Sequence, residues 1–155
     1  MMRSLWRRVF IWKMEDSMSP KHIRDLAYTI MMLLSVNAGS SSLKISLYQK
    51  SHTNAVKLVL SSSISSITAP PARFSFQLSS TENPSAKDQP CDDITDYTSA
   101  FAHFLQSLHS HASIDADRVI YICHRVVHGG DYNKPVLITQ ESYDHLETLS
   151  DLAPL

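Results

Sequence analysis

A chain of 155 residues is the size of one domain or a large part of one, long enough to bury a hydrophobic core without disulfide or metal staples. Charged residues make up 19% and balance to a net charge of −1, which argues against a general nucleic-acid binder with a basic face. Two cysteines, Cys91 and Cys123, exclude a disulfide framework and point to reduced thiols in a reducing compartment, and no apolar run approaches the roughly 18 residues of a membrane-spanning helix.

The first fourteen residues, MMRSLWRRVFIWKM, contain no acid and mix arginine with bulky apolar side chains. A mitochondrial transit peptide is a weak match, since serine is scarce here. A secretory signal fits less well, because Arg7, Arg8 and Lys13 interrupt the apolar stretch. Residues 1–30 are therefore expected to be an N-terminal extension, unstructured or begun upstream of the natural start, and the location to be cytoplasmic, with mitochondria the minor alternative.

From Met31 the texture changes. Met31 to Val36 is a short apolar run, as in a strand buried on both faces. Asn37 to Ser42 reads as a turn. Leu43, Ile45 and Leu47 then alternate with polar residues and predict a second strand, and Val56, Leu58 and Leu60 predict a third, completing a small antiparallel meander. Residues 61–90 are rich in Ser, Thr, Asn and Gln and broken by Pro70, Pro71, Pro84 and Pro90, which predicts a variable surface loop with Arg73–Leu78 as an edge strand. Asp92 and Asp93 stand as caps before Ile94, Tyr97, Phe101, Phe104, Leu105 and Leu108, whose spacing predicts a helix over 93–110. Val119–Cys123 predicts a buried strand, His124–Asn133 a loop, Val136–Ile138 a short strand, and Thr139 opens a last helix reaching about Leu149.

Two stretches carry chemistry. In Asn37-Ala38-Gly39-Ser40-Ser41-Ser42-Leu43-Lys44, Gly39 admits a ligand close to the backbone, three hydroxyls and free N–H groups suit phosphate oxygens, and Lys44 adds a point charge. The phosphate-loop spacing is absent, and composition alone favours a plain Ser-rich hairpin. In His124-Arg125-Val126-Val127-His128-Gly129-Gly130, Arg125 has the planar fork that grips a carboxylate or phosphate. Val126 and Val127 offer apolar walls, and the histidines offer donors. Taken alone, this stretch fits a structural ion pair with surface histidines equally well.

Together the two stretches resemble the acetate kinase family. Met31 to Tyr48, MMLLSVNAGSSSLKISLY, is similar to its N-terminal signature, and HRVVHGG at 124–130 to its second, in the right order and about eighty residues apart. The likeness runs on through Pro135–Thr139 to Leu152-Ala153-Pro154-Leu155. It covers most of 31–155, is weak in 61–90 and does not reach 1–30. The resemblance implies the first domain of the acetate and sugar kinase, actin and heat-shock ATPase superfamily: an α/β, ribonuclease-H-like mixed sheet with flanking helices. It implies phosphoryl transfer from ATP to acetate, with magnesium. By position, Asn37 resembles the magnesium-site residue and Lys44 the ATP-binding lysine, with Gly39, Ser40, Ser41 and Ser42 beside the phosphates. Arg125 resembles the arginine on the substrate carboxylate and transferred phosphoryl, and Val127 and Leu155 the pocket for the acetate methyl.

Cys123 departs from the family's usual glycine. The catalytic aspartate, a second active-site arginine, a magnesium-binding glutamate and the adenosine pocket lie beyond Leu155 in the family, so the chain alone is expected to be inactive. A homodimer is expected of the full-length family rather than of this fragment, and neither nucleic acid nor membrane is an expected partner. A propionate or butyrate kinase, or a non-catalytic phosphate-binding module, are the alternatives.

Overall fold

A computed structural model describes residues 8–13, 31–51, 55–126, 129–132 and 134–149. Strands β1 (Arg8–Lys13), β2 (Met31–Ala38), β3 (Ser42–Lys50), β4 (Val56–Ser65), β5 (Ala72–Leu78) and β6 (Ala86–Cys91) precede helix α1 (Tyr97–Ala112). A short 3-10 turn, Ala116–Arg118, leads to β7 (Val119–Val126), and β8 (Val136–Leu137) and helix α2 (Gln140–Thr148) follow. One mixed sheet has the order β6-β5-β4-β3-β2-β7-β1-β8. Strands β2 to β6 form an antiparallel meander, and α1 carries the chain across so that β7 lies parallel to β2.

The core is made by period-two alternation on the meander. Leu34, Val36, Leu43, Ile45, Leu47, Leu60, Ile64, Phe74 and Phe76 are buried on one face and pack with Ala100, Phe104 and Leu108 of α1. The Phe76 and Phe104 rings meet at 6.4 Å between centroids.

Five expectations are corrected. Residues 61–90 are not one loop: β4 runs on to Ser65, β5 lies inside the sheet rather than at its edge, and β6 is the edge. Serine is a weak strand former, but ladder bonds from β3 and β5 hold β4 on both sides, and Ser62 is buried with its Oγ donating to the Ser75 carbonyl at 2.9 Å. Pro90 is accommodated because an edge strand needs fewer donors.

Helix α1 begins at Asp96, not at Asp92 or Asp93. The Asp96 carboxylate accepts from the Ser99 N–H at 2.7 Å, and the Asp96 N–H donates to Ser99 Oγ at 3.1 Å, a reciprocal capping box. The final correction among these strands is β7, which continues through Val126, so His124 and Arg125 are strand residues and not loop residues. Within the extension, residues 8–13 form β1, antiparallel to β7 with Val9 opposite Arg125, and parallel to β8.

Candidate functional site

The site is built where β2 and β7 end and β3 begins. Asn37 on β2 stands opposite Lys44 on β3, Lys44 opposite Ser63 on β4, and Ser63 opposite Ser75 on β5. This row lies on the sheet face away from the core, because Val36, Leu43, Ile45 and Ile64 beside it are buried on the other face. On the parallel side Ser35 pairs with Cys123 and Val36 with His124. Arg125 follows, and its Nη1 donates to Asn37 Oδ1 at 3.4 Å. The Nε of Arg125 is buried and has no acceptor among the described residues. A guanidinium with a long contact on one edge and a buried donor unsatisfied can receive an oxygen anion, since such a donor costs stability until something accepts from it.

The hairpin between β2 and β3 is tightly tied. The Gly39 N–H donates to the Ser42 carbonyl at 2.8 Å, so it is not a free phosphate donor. The Ser41 carbonyl accepts from the Ile67 N–H at 3.1 Å, and its hydroxyl accepts from Thr68 Oγ1 at 3.0 Å. Ser40 is exposed and Ser42 half-buried. Tyr97, the first residue of α1, donates its hydroxyl hydrogen to the Gly39 carbonyl, a strap from helix to turn that sequence pattern alone did not single out. A Cβ at Gly39 would sit 3.1 Å from Ser42 Oγ, a tight contact that rotation of the hydroxyl can relieve. Lys44 is exposed and makes no ion pair among the described residues.

Alternation along β7 divides the second stretch. Arg125 faces Asn37, while Ile122, His124 and Val126 line an apolar groove with Ile138, Tyr143 and Leu146 of the α2 region. Val126 therefore does not wall a pocket on the Arg125 side, because adjacent strand residues point to opposite faces. His124 Nδ1 lies 2.8 Å from the Arg125 carbonyl, which only accepts, so Nδ1 carries the proton and is committed to the backbone. Cys123 precedes Arg125 by two residues, and burial pushes its thiol up from the ordinary cysteine value. Val127, His128 and Leu155 lie outside the described residues.

A family model described as "Acetokinase family" matches residues 32–155. An Emericella nidulans protein named "Probable acetate kinase" is 42% identical over 127 residues, covering 79% of this chain and 29% of the relative. "Acetate kinase" of Oceanobacillus iheyensis is 38% identical over 125 residues, covering 79% and 30%. The chain thus spans less than a third of the length of these curated relatives. The crystal structure of Porphyromonas gingivalis acetate kinase superposes with a TM-score of 0.66 at 22% identity, covering 81% of this chain and 31% of that one. A propionate kinase from Francisella tularensis gives 0.64 at 26% identity, covering 81% and 30%.

Proposed function

Because the chain belongs to the acetokinase family and carries the ribonuclease-H-like α/β fold of its kinases, we propose that it supplies the substrate-gripping face of a phosphotransferase moving phosphoryl between ATP and acetate. Acetyl phosphate and ADP are the products, and the reaction is reversible. The observation that carries this reading is the Arg125 guanidinium, fixed by Asn37 and left with a buried, unpartnered Nε. Two parallel N–H groups match a carboxylate or a phosphoryl oxygen pair, and phosphoryl transfer is mostly positioning and charge stabilisation.

In this reading Lys44, Ser40 and Ser42 lie toward the nucleotide phosphates, with Gly39 and Ser41 shaping the turn beneath them. Val127 and Leu155 are proposed for the acetate methyl. Magnesium is a family expectation. The described residues offer it one neutral oxygen, Asn37 Oδ1, between Arg125 and the register partner Lys44. That donor set does not hold a divalent cation by itself, so Asn37 is assigned the orienting of Arg125 and no step runs through a metal. The remaining catalytic groups are proposed to come from sequence equivalent to the rest of the relatives' length. A cytoplasmic location, expected of the family, accompanies the proposal. No helix among the described residues is long and apolar enough to cross a membrane.

A second reading, propionate as substrate, draws on the likeness to the Francisella tularensis propionate kinase. One extra methylene changes discrimination by only about 1–3 kcal/mol, so the two acids differ by pocket size alone. The test is a chimaera in which residues 32–155 replace the matching part of the Oceanobacillus iheyensis acetate kinase. Acetate-dependent ADP formation that disappears in Arg125→Ala supports the proposal, and the acetate to propionate ratio of kcat/KM chooses the acid. A folded chimaera without turnover, or one indifferent to Arg125→Ala, overturns it.

A further inference from the structure

At the opposite edge of the sheet lies a second group of reactive side chains. Cys91 ends β6, Asp93 sits on the turn after it, and His103 projects from α1. Cys91 is separated from Arg125 by the breadth of β5, β4, β3 and β2, roughly 24 Å at about 4.8 Å per strand. His103 Nε2 lies 3.8 Å from Cys91 Sγ, and His103 Nδ1 lies 3.7 Å from Asp93 Oδ2. One donor atom from each of the three residues lies within 4.8 Å of the other two, and this is the one such group among the described residues. We propose that Cys91, Asp93 and His103 form a binding site for a thiophilic divalent cation, zinc above all.

The spacing fits. Zinc bonds of about 2.0–2.3 Å in a tetrahedron place neighbouring donors on the order of 3.3–3.8 Å apart. Cys91 Sγ and His103 Nε2 are already that far apart, with Asp93 nearer the other ring nitrogen, Nδ1. The imidazole is held in place, since the Phe74 ring meets it edge-on at 4.6 Å and its side chain is 23% exposed. Asp93 is 74% exposed on a turn, free to close the remaining distance, and Asp92 beside it adds a second negative charge. A thiolate, an imidazole and a carboxylate together select zinc or cobalt over magnesium or calcium, which want oxygen alone. Three protein ligands leave the fourth position open to water or an incoming ligand.

The test is titration of the full chain with Co2+, whose thiolate complexes absorb in the near ultraviolet and whose tetrahedral complexes show intense visible bands. One Co2+ per chain is expected, displaced by Zn2+. The near-ultraviolet band is lost in Cys91→Ser, affinity falls about tenfold or more in His103→Gln and Asp93→Asn, and Cys123→Ser changes nothing. Should Cys91→Ser fail to fold, alkylation of the unmutated chain decides: Zn2+ protects Cys91 and leaves Cys123 unaffected. Absence of the thiolate band, its persistence in Cys91→Ser, or equal alkylation of Cys91 with and without Zn2+ overturns the site. Metal-free hydrolysis of an activated ester that is lost in Cys91→Ser also overturns it, by making the group a thiol nucleophile with its base.

Discussion

Arg125 Nη1 meets Asn37 Oδ1 at 3.4 Å across two parallel strands, between residues 88 apart in the chain. The contact, long for a hydrogen bond, engages one edge of the guanidinium, and Nε is buried without an acceptor among the described residues. An unmet buried donor costs about 1–3 kcal/mol, and an arriving carboxylate or phosphoryl oxygen removes that cost.

In the chimaera, Arg125→Ala is expected to lower kcat/KM by about 10²–10³-fold, and Arg125→Lys to recover little of it. An ammonium is a point charge without the fork, and charge stabilisation in a closed site is of this size. Near-normal turnover in both variants would make Arg125 a structural residue.

In the proposed reading Asn37 acts through Arg125, and its two variants separate orientation from charge. Asn37→Ala frees the guanidinium and is expected to lower kcat by up to about 10²-fold, as small misplacements do. Asn37→Asp pairs the arginine with a carboxylate and is expected chiefly to raise KM for the anionic substrate. Equal effects on kcat and KM in the two variants would remove the orienting role.

Of Gly39 and Gly130, Gly130 is the more constrained. Its φ is +53°, and a Cβ would come within 2.6 Å of Leu149 Cδ1, whereas the nearest atom at Gly39 is the rotatable Ser42 Oγ at 3.1 Å. Gly130→Ala is expected to cost about 1–2 kcal/mol from the left-handed backbone alone, and Gly39→Ala less. Denaturant midpoints of the two variants check the order.

Phe104 is fully buried between α1 and the sheet. Phe104→Ala is expected to destabilise by about 3–5 kcal/mol, while Val56→Ala, at a site 62% exposed, should fall within about 0.5 kcal/mol of the parent. Urea unfolding followed by circular dichroism measures both. A loss at Phe104 no larger than that at Val56 would mean α1 does not close this core.

The Asp96 carboxyl is held below its ordinary value, first by the Ser99 backbone N–H and then by the Ser99 hydroxyl. A carboxylate with a lowered folded value adds stability that is complete above the ordinary aspartate range and is lost as pH falls through the folded value. Melting temperature is therefore expected to fall on acidification, with a shallower fall in Asp96→Asn, whose amide caps without titrating. Parallel acid limbs in the two proteins would remove Asp96 from the acid response.

Local pattern alone determined a good part of this protein. The alternation of Leu43, Ile45 and Leu47 made β3 legible, and the spacing of Phe101, Phe104 and Leu108 made the body of α1 legible, because each pattern answers to the geometry of its own element. The two chemical stretches were legible as residue types in order, enough to point to the family that the comparisons bear out. Tertiary structure decided the rest. The serines of β4 are strand residues only because β3 and β5 supply the ladder on both sides, and β1 is a strand only through β7 and β8. Asp96 won the cap over Asp92 and Asp93 because Ser99 lies three residues on to answer it. Nothing in the order of residues places Arg125 on the Asn37 face and Val126 on the other. That partition follows from β7 extending to Val126 beside β2, where pleating sends neighbouring side chains to opposite sides of the sheet.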